Sequence, residues 1–163
     1  MNTDPEGQSM RLIEGWPERD ASLWKNARMP VSVLDEGGRA ARWRPSTVRL
    51  GIEAYDRWLV WLKQRGDLPL SEGPAARITK PRISAYIEHL RSRQLADITV
   101  AMSLHHLCYT AKALEDTADL KWLARIARRL VAKAKPARAK APRLVDVTKL
   151  YKLGTHLMDQ ARI

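Results

Sequence analysis

The sequence predicts an all-α protein, and two observations support this prediction. Apolar residues recur at steps of three and four along five stretches of the chain, which is the spacing of one face of an α-helix. No stretch alternates strictly between apolar and polar residues, as a half-buried β-strand would. The predicted architecture is an orthogonal bundle of four main helices, with an irregular N-terminal arm and a C-terminal basic linker that leads to a short helix.

Residues 1–45 form the predicted arm, because prolines and glycines interrupt it and no apolar period is sustained. One short helix is expected near Ala21–Arg28. Trp16, Trp24 and Trp43 are expected to attach the arm to the body. The sequence leaves open whether the arm folds onto the bundle, contacts a neighbouring copy or stays loose.

The four main helices fall within residues 46–133, and the first two have clear start signals. The first begins with Ser46 or Thr47 as N-cap and Pro45 just outside the helix. The second has Thr79 as N-cap and Pro81 in its first turn. The predicted inward residues are Val48, Ile52, Tyr55, Leu59 and Leu62 in the first helix, and Ile83, Ile87 and Leu90 in the second.

The third helix is capped by Asp97 or Thr99, and the fourth follows it with a basic outer face. A fifth, shorter pattern starts at Asp146, within the segment 134–163 that holds the linker. Prolines 136 and 142 prevent the fourth helix from continuing into it. The inward residues are Val100, Leu104, Leu107, Ala111 and Leu114 in the third helix and Leu120, Leu123, Ala127 and Leu130 in the fourth, and the fifth pattern includes Val147, Leu150, Leu153 and Leu157.

Positive charge is concentrated in one segment. The formal net charge is +11, and residues 121–145 contain nine basic side chains and no acidic one. Because like charges repel unless a polyanion neutralises them, nucleic acid is the favoured partner. A solvated helix face followed by a basic linker, an acidic protein and a membrane surface remain open as alternatives.

The chain shows no recognisable active site, so we predict no catalytic residue, no metal and no cofactor. His105 and His106 diverge by about 100° on a helix and cannot chelate together, and a pair of His105 with Cys108 lacks further ligands. Packing is the better account of the four tyrosines. The single cysteine, the acidic N-terminus and the lack of an apolar span favour a cytoplasmic protein without a membrane segment.

The order of these elements resembles the N-terminal core-binding domain of tyrosine recombinases, the phage-integrase type of site-specific enzyme. The resemblance covers about residues 42–160. It lies in "STVRLGIEAYDRWLVWL", with its spaced aromatic residues, and in "YIEHL" followed by a turn and a helix that begins "DITV". It implies a SAM-like helical domain that, with a C-terminal catalytic domain, clamps double-stranded DNA for integration or recombination.

The resemblance also implies roles for particular segments. "KAKPARAKAPR" at 133–143 would be a strap along the DNA backbone, and the residues after it would begin a catalytic domain whose active-site residues are absent from this chain. The first and third helices would face the major groove. The implied DNA contacts are Arg44, Ser46, Thr47, Arg49, Thr99, Met102, Ser103, His106, Arg128, Arg129, Lys133, Lys135, Arg138, Lys140 and Arg143.

Such recombinases assemble as tetramers on bacterial DNA. Much of that interface belongs to the catalytic half, so this chain is expected to be a monomer in isolation. Two other functions stay open: a stand-alone helical DNA-binding regulator, which needs a base-reading helix, and a helical protein-interaction module with an acidic partner, in which the N-terminal tryptophans would be interface anchors.

Overall fold

The computed structural model describes residues 12–34, 36–134 and 146–161. These residues form α-helices joined by turns and loops, with no β-strand among them, so the all-α prediction is confirmed. The helices are Glu18–Ala27 (α1), Pro45–Gln64 (α2), Lys80–Ser92 (α3), Asp97–Leu114 (α4), Lys121–Lys133 (α5) and Val147–Gln160 (α6).

Helix α4 is the centre of the body, because α1, α2, α3 and α5 all pack against it. The five residues predicted to face inward on α4 are all buried. Further apolar residues, including Ala101 and Cys108, are buried on other sides of the same helix. A helix that is apolar on several sides is stable only when its neighbours surround it.

The described part of the N-terminal arm belongs to this core. Trp16 and Trp24 are buried, and the ring of Trp16 packs edge-on against Tyr55 of α2, with 4.8 Å between the ring centroids. Trp24 contacts the half-buried Trp43 in the same manner at 6.0 Å. The predicted attachment of the arm by its tryptophans is therefore confirmed. The helix expected near Ala21–Arg28 is α1.

A buried ion pair joins the arm to the rest of the body. Asp20 of α1 and Arg77, in the loop before α3, are both 0% exposed. Nη1 of Arg77 donates to Oδ2 of Asp20, and the hydroxyl of Tyr55 donates to the same oxygen at 2.8 Å. Arg77 also donates to the backbone carbonyls of Pro69 at 3.1 Å and Glu72 at 2.7 Å. One cluster thus links α1, α2 and the loop that leads to α3.

A second arginine fixes the same loop to α3. Arg82 donates from Nε and Nη2 to the two carboxylate oxygens of Asp67, at 3.0 and 2.9 Å, and from Nη1 to Glu72 at 2.9 Å. These bonds hold the pKa of the Asp67 carboxyl below its usual range. The bidentate geometry orients α3 relative to the end of α2.

Two predicted N-caps are wrong. Helix α2 begins at Pro45, and its N-cap is Arg44, which makes no side-chain capping bond. Proline suits the first helical position because its φ is already helical and it has no N–H to satisfy, so the helix starts before Ser46 and Thr47. By contrast, Oγ1 of Thr79 accepts from the backbone N–H of Arg82 at 3.4 Å, which confirms that cap.

In α4 the N-cap is Ala96, so neither Asp97 nor Thr99 caps the helix. Asp97 lies in the first turn instead, where a negative charge is favoured by the helix dipole. Its carboxylate accepts from Nη2 of Arg91 at 3.2 Å, which gives it a partner other than the helix end.

Helix α6 is capped by Asp146, whose side chain accepts from the backbone N–H of Thr148 at 2.9 Å, but none of its residues is buried. The apolar residues of its pattern, Val147, Leu150, Leu153 and Leu157, are therefore exposed. Packing accounts for Tyr55 and Tyr86, which are buried, but not for Tyr109 and Tyr151, which are 52% and 73% exposed.

No helix in the described ranges combines the length and the apolar character needed to cross a bilayer.

Candidate nucleic-acid interface

The basic outer face of α5 is confirmed. Leu123 and Ala127 are buried against the body. Arg125 is two residues from each of them and points away, because successive residues on a helix turn by about 100°. The exposed basic residues of this helix share that outer side: Lys121, Arg125, Arg128, Arg129 and Lys133. They extend over about 18 Å, with i, i+4 neighbours about 6 Å apart along the axis.

These five charges have no ionic partner within the described ranges. The ion pairs there use other arginines, such as Arg77 with Asp20 and Arg82 with Asp67. Among the described residues, one side-chain hydrogen bond starts from this face, from Nε of Arg128 to the carbonyl of Ala124 at 3.4 Å. Within the described body, carboxylates thus neutralise arginines such as Arg77 and Arg82, whereas the positive charge of the α5 face is uncompensated.

The start of α2 holds the next group of predicted contacts. Arg44, Ser46 and Arg49 are exposed and Thr47 is half-buried. Nε of Arg49 lies 4.0 Å from Oε1 of Glu53, one turn later on the same helix. An exposed i, i+4 pair at this distance is weak, so the Arg49 side chain is available for another anion.

On α4, Thr99 and Met102 are exposed and Ser103 and His106 are half-buried. The hydroxyl of Ser103 donates to the carbonyl of Thr99 at 2.9 Å, so its proton is used within the helix. Burial is the main cause that lowers the pKa of His106, and the nearby His105 and Arg57 add to it. His106 is therefore neutral near neutral pH, and this face of α4 has no cation before Lys112.

Three of the predicted residues come together in one cleft. Thr47 from α2 and Met102 and His106 from α4 line a cleft of about 280 Å³ between the two helices. Its other lining residues are Trp43, Gly51, His105, Tyr109 and Thr110. Arg44, Ser46, Arg49, Thr99 and Ser103 do not line it.

The cleft and the α5 face lie on different sides of α4. A Cβ added at Gly51 of α2 would lie 2.7 Å from Oγ1 of Thr110, so this part of α4 touches α2. Cys108 donates to the carbonyl of Leu120, just before α5, at 3.6 Å. Thr110 and Cys108 are two residues apart and diverge by about 200°. The predicted DNA contacts on α2 and α4 therefore do not form one continuous surface with those on α5.

Part of the predicted strap cannot be placed, because Lys135, Arg138, Lys140 and Arg143 lie outside the described residues. Lys133, its first member, is the last residue of α5 and is exposed. Sequence reasoning did not select Lys121 and Arg125 as contacts, although the four-residue spacing from 121 to 133 would have identified them.

Within the described ranges, no three His, Cys, Asp or Glu side chains are placed to share a metal ion.

No protein-family profile, curated protein or solved structure matches this chain. The site must therefore be interpreted from its own geometry and charge.

Proposed function

We propose that this chain is a double-stranded DNA-binding module of a tyrosine-recombinase type of enzyme, in which a separate domain carries out strand exchange. The observation that supports the proposal best is the uncompensated basic face of α5. In this proposal the body is the orthogonal, SAM-like bundle of that family, and the protein acts in the bacterial cytoplasm, on the nucleoid, with other protomers on the same DNA.

The regularity of the α5 face favours a polyanion of regular spacing. Double-stranded DNA presents one negative charge per about 1.7 Å of helix axis, so a rigid row of cations about 6 Å apart always finds phosphates within reach of its long side chains. Releasing the condensed counterions supplies the free energy of binding. An acidic protein would need matched carboxylates at each position, which is a more demanding requirement than a phosphate backbone imposes.

The α5 face is continuous with the basic linker, since Lys133 ends the helix and the strap residues follow it in the chain. We propose that α5 and the strap contact phosphates together. The groups on α2 and α4 contribute only short-range contacts in this proposal, because Arg44 and Arg49 are the only cations among them. Phosphate contacts position a protein on DNA but carry no sequence information by themselves.

The test is a fluorescence titration of the full chain with random-sequence duplex DNA at several salt concentrations. If the five α5 cations each neutralise one phosphate, they contribute about −4.5 to the slope of log K against log salt. The variant Arg125→Gln/Arg129→Gln should then make the slope shallower by about 1.8. The matched control, Lys25→Gln/Lys63→Gln, removes the same charge from exposed positions on α1 and α2 and should leave the slope unchanged.

Replacing the four strap residues Lys135, Arg138, Lys140 and Arg143 with glutamine measures the contribution of the linker to DNA binding in the same way. The slope of log K against log salt should become shallower by about 3.6. Equal effects of the α5 variant and its control would show that only net charge matters, and would refute a defined α5 interface. A chain that binds no duplex at low salt would refute the DNA proposal and favour an acidic protein partner.

A further inference from the structure

Helix α4 has a second apolar stripe that faces solvent. Ile98, Met102 and Tyr109 are 39%, 41% and 52% exposed, and the half-buried His105 lies between them with its ring edge-on to Tyr109 at 4.6 Å. The four positions follow the spacing i, i+4, i+7 and i+11, which places them along one line of the helix. This spacing is typical of a surface that receives another helix.

Three members of this stripe, Met102, His105 and Tyr109, line the cleft between α2 and α4. Trp43 and Gly51 line the other side, where α2 and α4 touch: a Cβ at Gly51 would lie 2.7 Å from Oγ1 of Thr110 and 3.4 Å from Cζ3 of Trp43. The cleft is lined by no Asp, Glu, Lys or Arg, and burial lowers the pKa of the His106 imidazole. At about 280 Å³ it is large enough for one or two apolar side chains.

Helix α6 presents the complementary surface. Val147, Tyr151, Gly154 and Met158 repeat the same spacing of i, i+4, i+7 and i+11. Leu150 and Leu157 flank this line and are 52% and 56% exposed. No residue of α6 is buried, although a helix with such a stripe needs a partner to cover it.

We propose that α6 of one chain docks into the α2–α4 cleft of a second copy, and that the exchange is reciprocal. Both stripes extend over twelve residues, or about 16 Å, and share one period. Gly154, with no atom within 4 Å of an added Cβ, allows close approach at the middle of the helix. A reciprocal exchange gives a two-fold symmetric dimer, which is a closed assembly that buries both apolar surfaces of each chain.

Two observations favour a second copy as the occupant. Within one chain the two surfaces do not meet, because Met102 and Tyr109 remain exposed and α6 buries nothing. The cations of α6, Lys149 and Lys152, lie on the side opposite its apolar stripe, so docking does not bring them against Arg44, which follows the lining residue Trp43 in the chain.

This inference does not rest on the proposed function, and it differs from the monomer expected from the family resemblance. A docked α6 covers the cleft residues Thr47, Met102 and His106, so these three do not contact DNA in the dimer.

The first experiment is sedimentation equilibrium of the full chain without DNA, over roughly a hundredfold range of concentration around the micromolar. The expected average mass rises from one chain to two and no further, because a reciprocal exchange is closed. A single-chain mass at every concentration would overturn the proposal, and so would a mass that grows beyond two chains.

Two variants test the two surfaces separately. Leu157→Asp places a charge on the stripe of α6, and Met102→Asp places one in the cleft; both side chains are exposed in the single chain, so folding should persist. Each should weaken dimerisation at least about tenfold. Tyr109→Asp repeats the cleft test at a more exposed position. Lys152→Asp, on the opposite side of α6, is the control and should leave the dimer intact.

Mixing the variants identifies which surfaces meet. The Leu157→Asp chain retains an intact cleft and the Met102→Asp chain retains an intact α6, so an equimolar mixture should form a heterodimer through one interface, while neither variant pairs with itself. Direct pairing of α6 with α6 predicts the opposite: Met102→Asp would still dimerise and mixing would rescue nothing. That result would overturn the proposed docking site.

Discussion

Replacing Arg77 with leucine should destabilise the protein strongly, because it leaves a charge buried without its partner. Arg77 and Asp20 are both 0% exposed. Without the guanidinium, Oδ2 of Asp20 retains only the hydroxyl of Tyr55 at 2.8 Å. Oδ1 of Asp20 already lacks a hydrogen-bond partner among the described residues. The carbonyls of Pro69 and Glu72 also lose a donor.

Breaking a buried ion pair by removing one partner costs about 3–5 kcal/mol. We expect that loss for Arg77→Leu, which corresponds to a fall of about 6–20 °C in Tm for a chain of this size. Asp20→Leu should cost about 3 kcal/mol, since the buried guanidinium then keeps only its two carbonyl partners. The double variant buries no charge, so its loss should be at least about 2 kcal/mol smaller than the sum of the single losses.

The assay is urea unfolding of all four proteins, followed by tryptophan fluorescence. The ring of Trp16 lies 4.8 Å from that of Tyr55, between centroids, so the signal reports on this part of the core. Strict additivity of the two single losses would refute the coupling. A loss below about 1 kcal/mol for Arg77→Leu would show that water reaches Asp20, and that the pair does not hold the arm.

Three further predictions concern single positions. Gly38→Ala should cost about 3 kcal/mol in unfolding experiments, because its Cβ would lie 2.3 Å from two backbone carbonyl oxygens at the end of α1; Gly154→Ala, in open space, should not change unfolding of the body. Because burial lowers the pKa of His106, the unfolded chain takes up the proton first as pH falls below about 6.5; stability should decline there, and His106→Gln should flatten the decline. Burial raises the pKa of the Cys108 thiol, so a thiol reagent should label the native protein at least about a hundredfold more slowly than the urea-unfolded one; comparable rates would show that this part of the core opens readily.

Elements whose signal lies within one helix were predictable. The period of α4 identified Val100, Leu104 and Leu107 as core residues, and α5 was correctly given an apolar inner face and a basic outer face. Thr79 was recognised as a cap because a single side chain and its own backbone form that contact. The predicted caps of α2 and α4 were wrong because several residues can cap each of these helices. At α2 the start is set by proline at the first position, and at α4 Asp97 is paired with Arg91 of α3.

The candidate site was only partly predictable. Thr47, Met102 and His106 were chosen as separate contacts, and nothing in their spacing shows that they line one cleft. The sequence analysis assigned Tyr109 to packing, and it did not show that Met102 and Tyr109 share one exposed line of α4, because apolar residues occur on several sides of this helix. Lys121 and Arg125 could have been predicted as contacts from the sequence, because their four-residue spacing with Arg129 and Lys133 is visible without the fold.

The sequence by itself determined the helical class, the apolar faces and the segment where positive charge accumulates, because each depends on residues a few positions apart. Only the tertiary structure decided that the arm is part of the core, that Asp20 neutralises Arg77 across 57 positions of the chain, and that the α5 charges have no ionic partner among the described residues. Such contacts depend on how the helices are arranged in space, and the sequence period of a helix carries no information about which neighbour will meet its face.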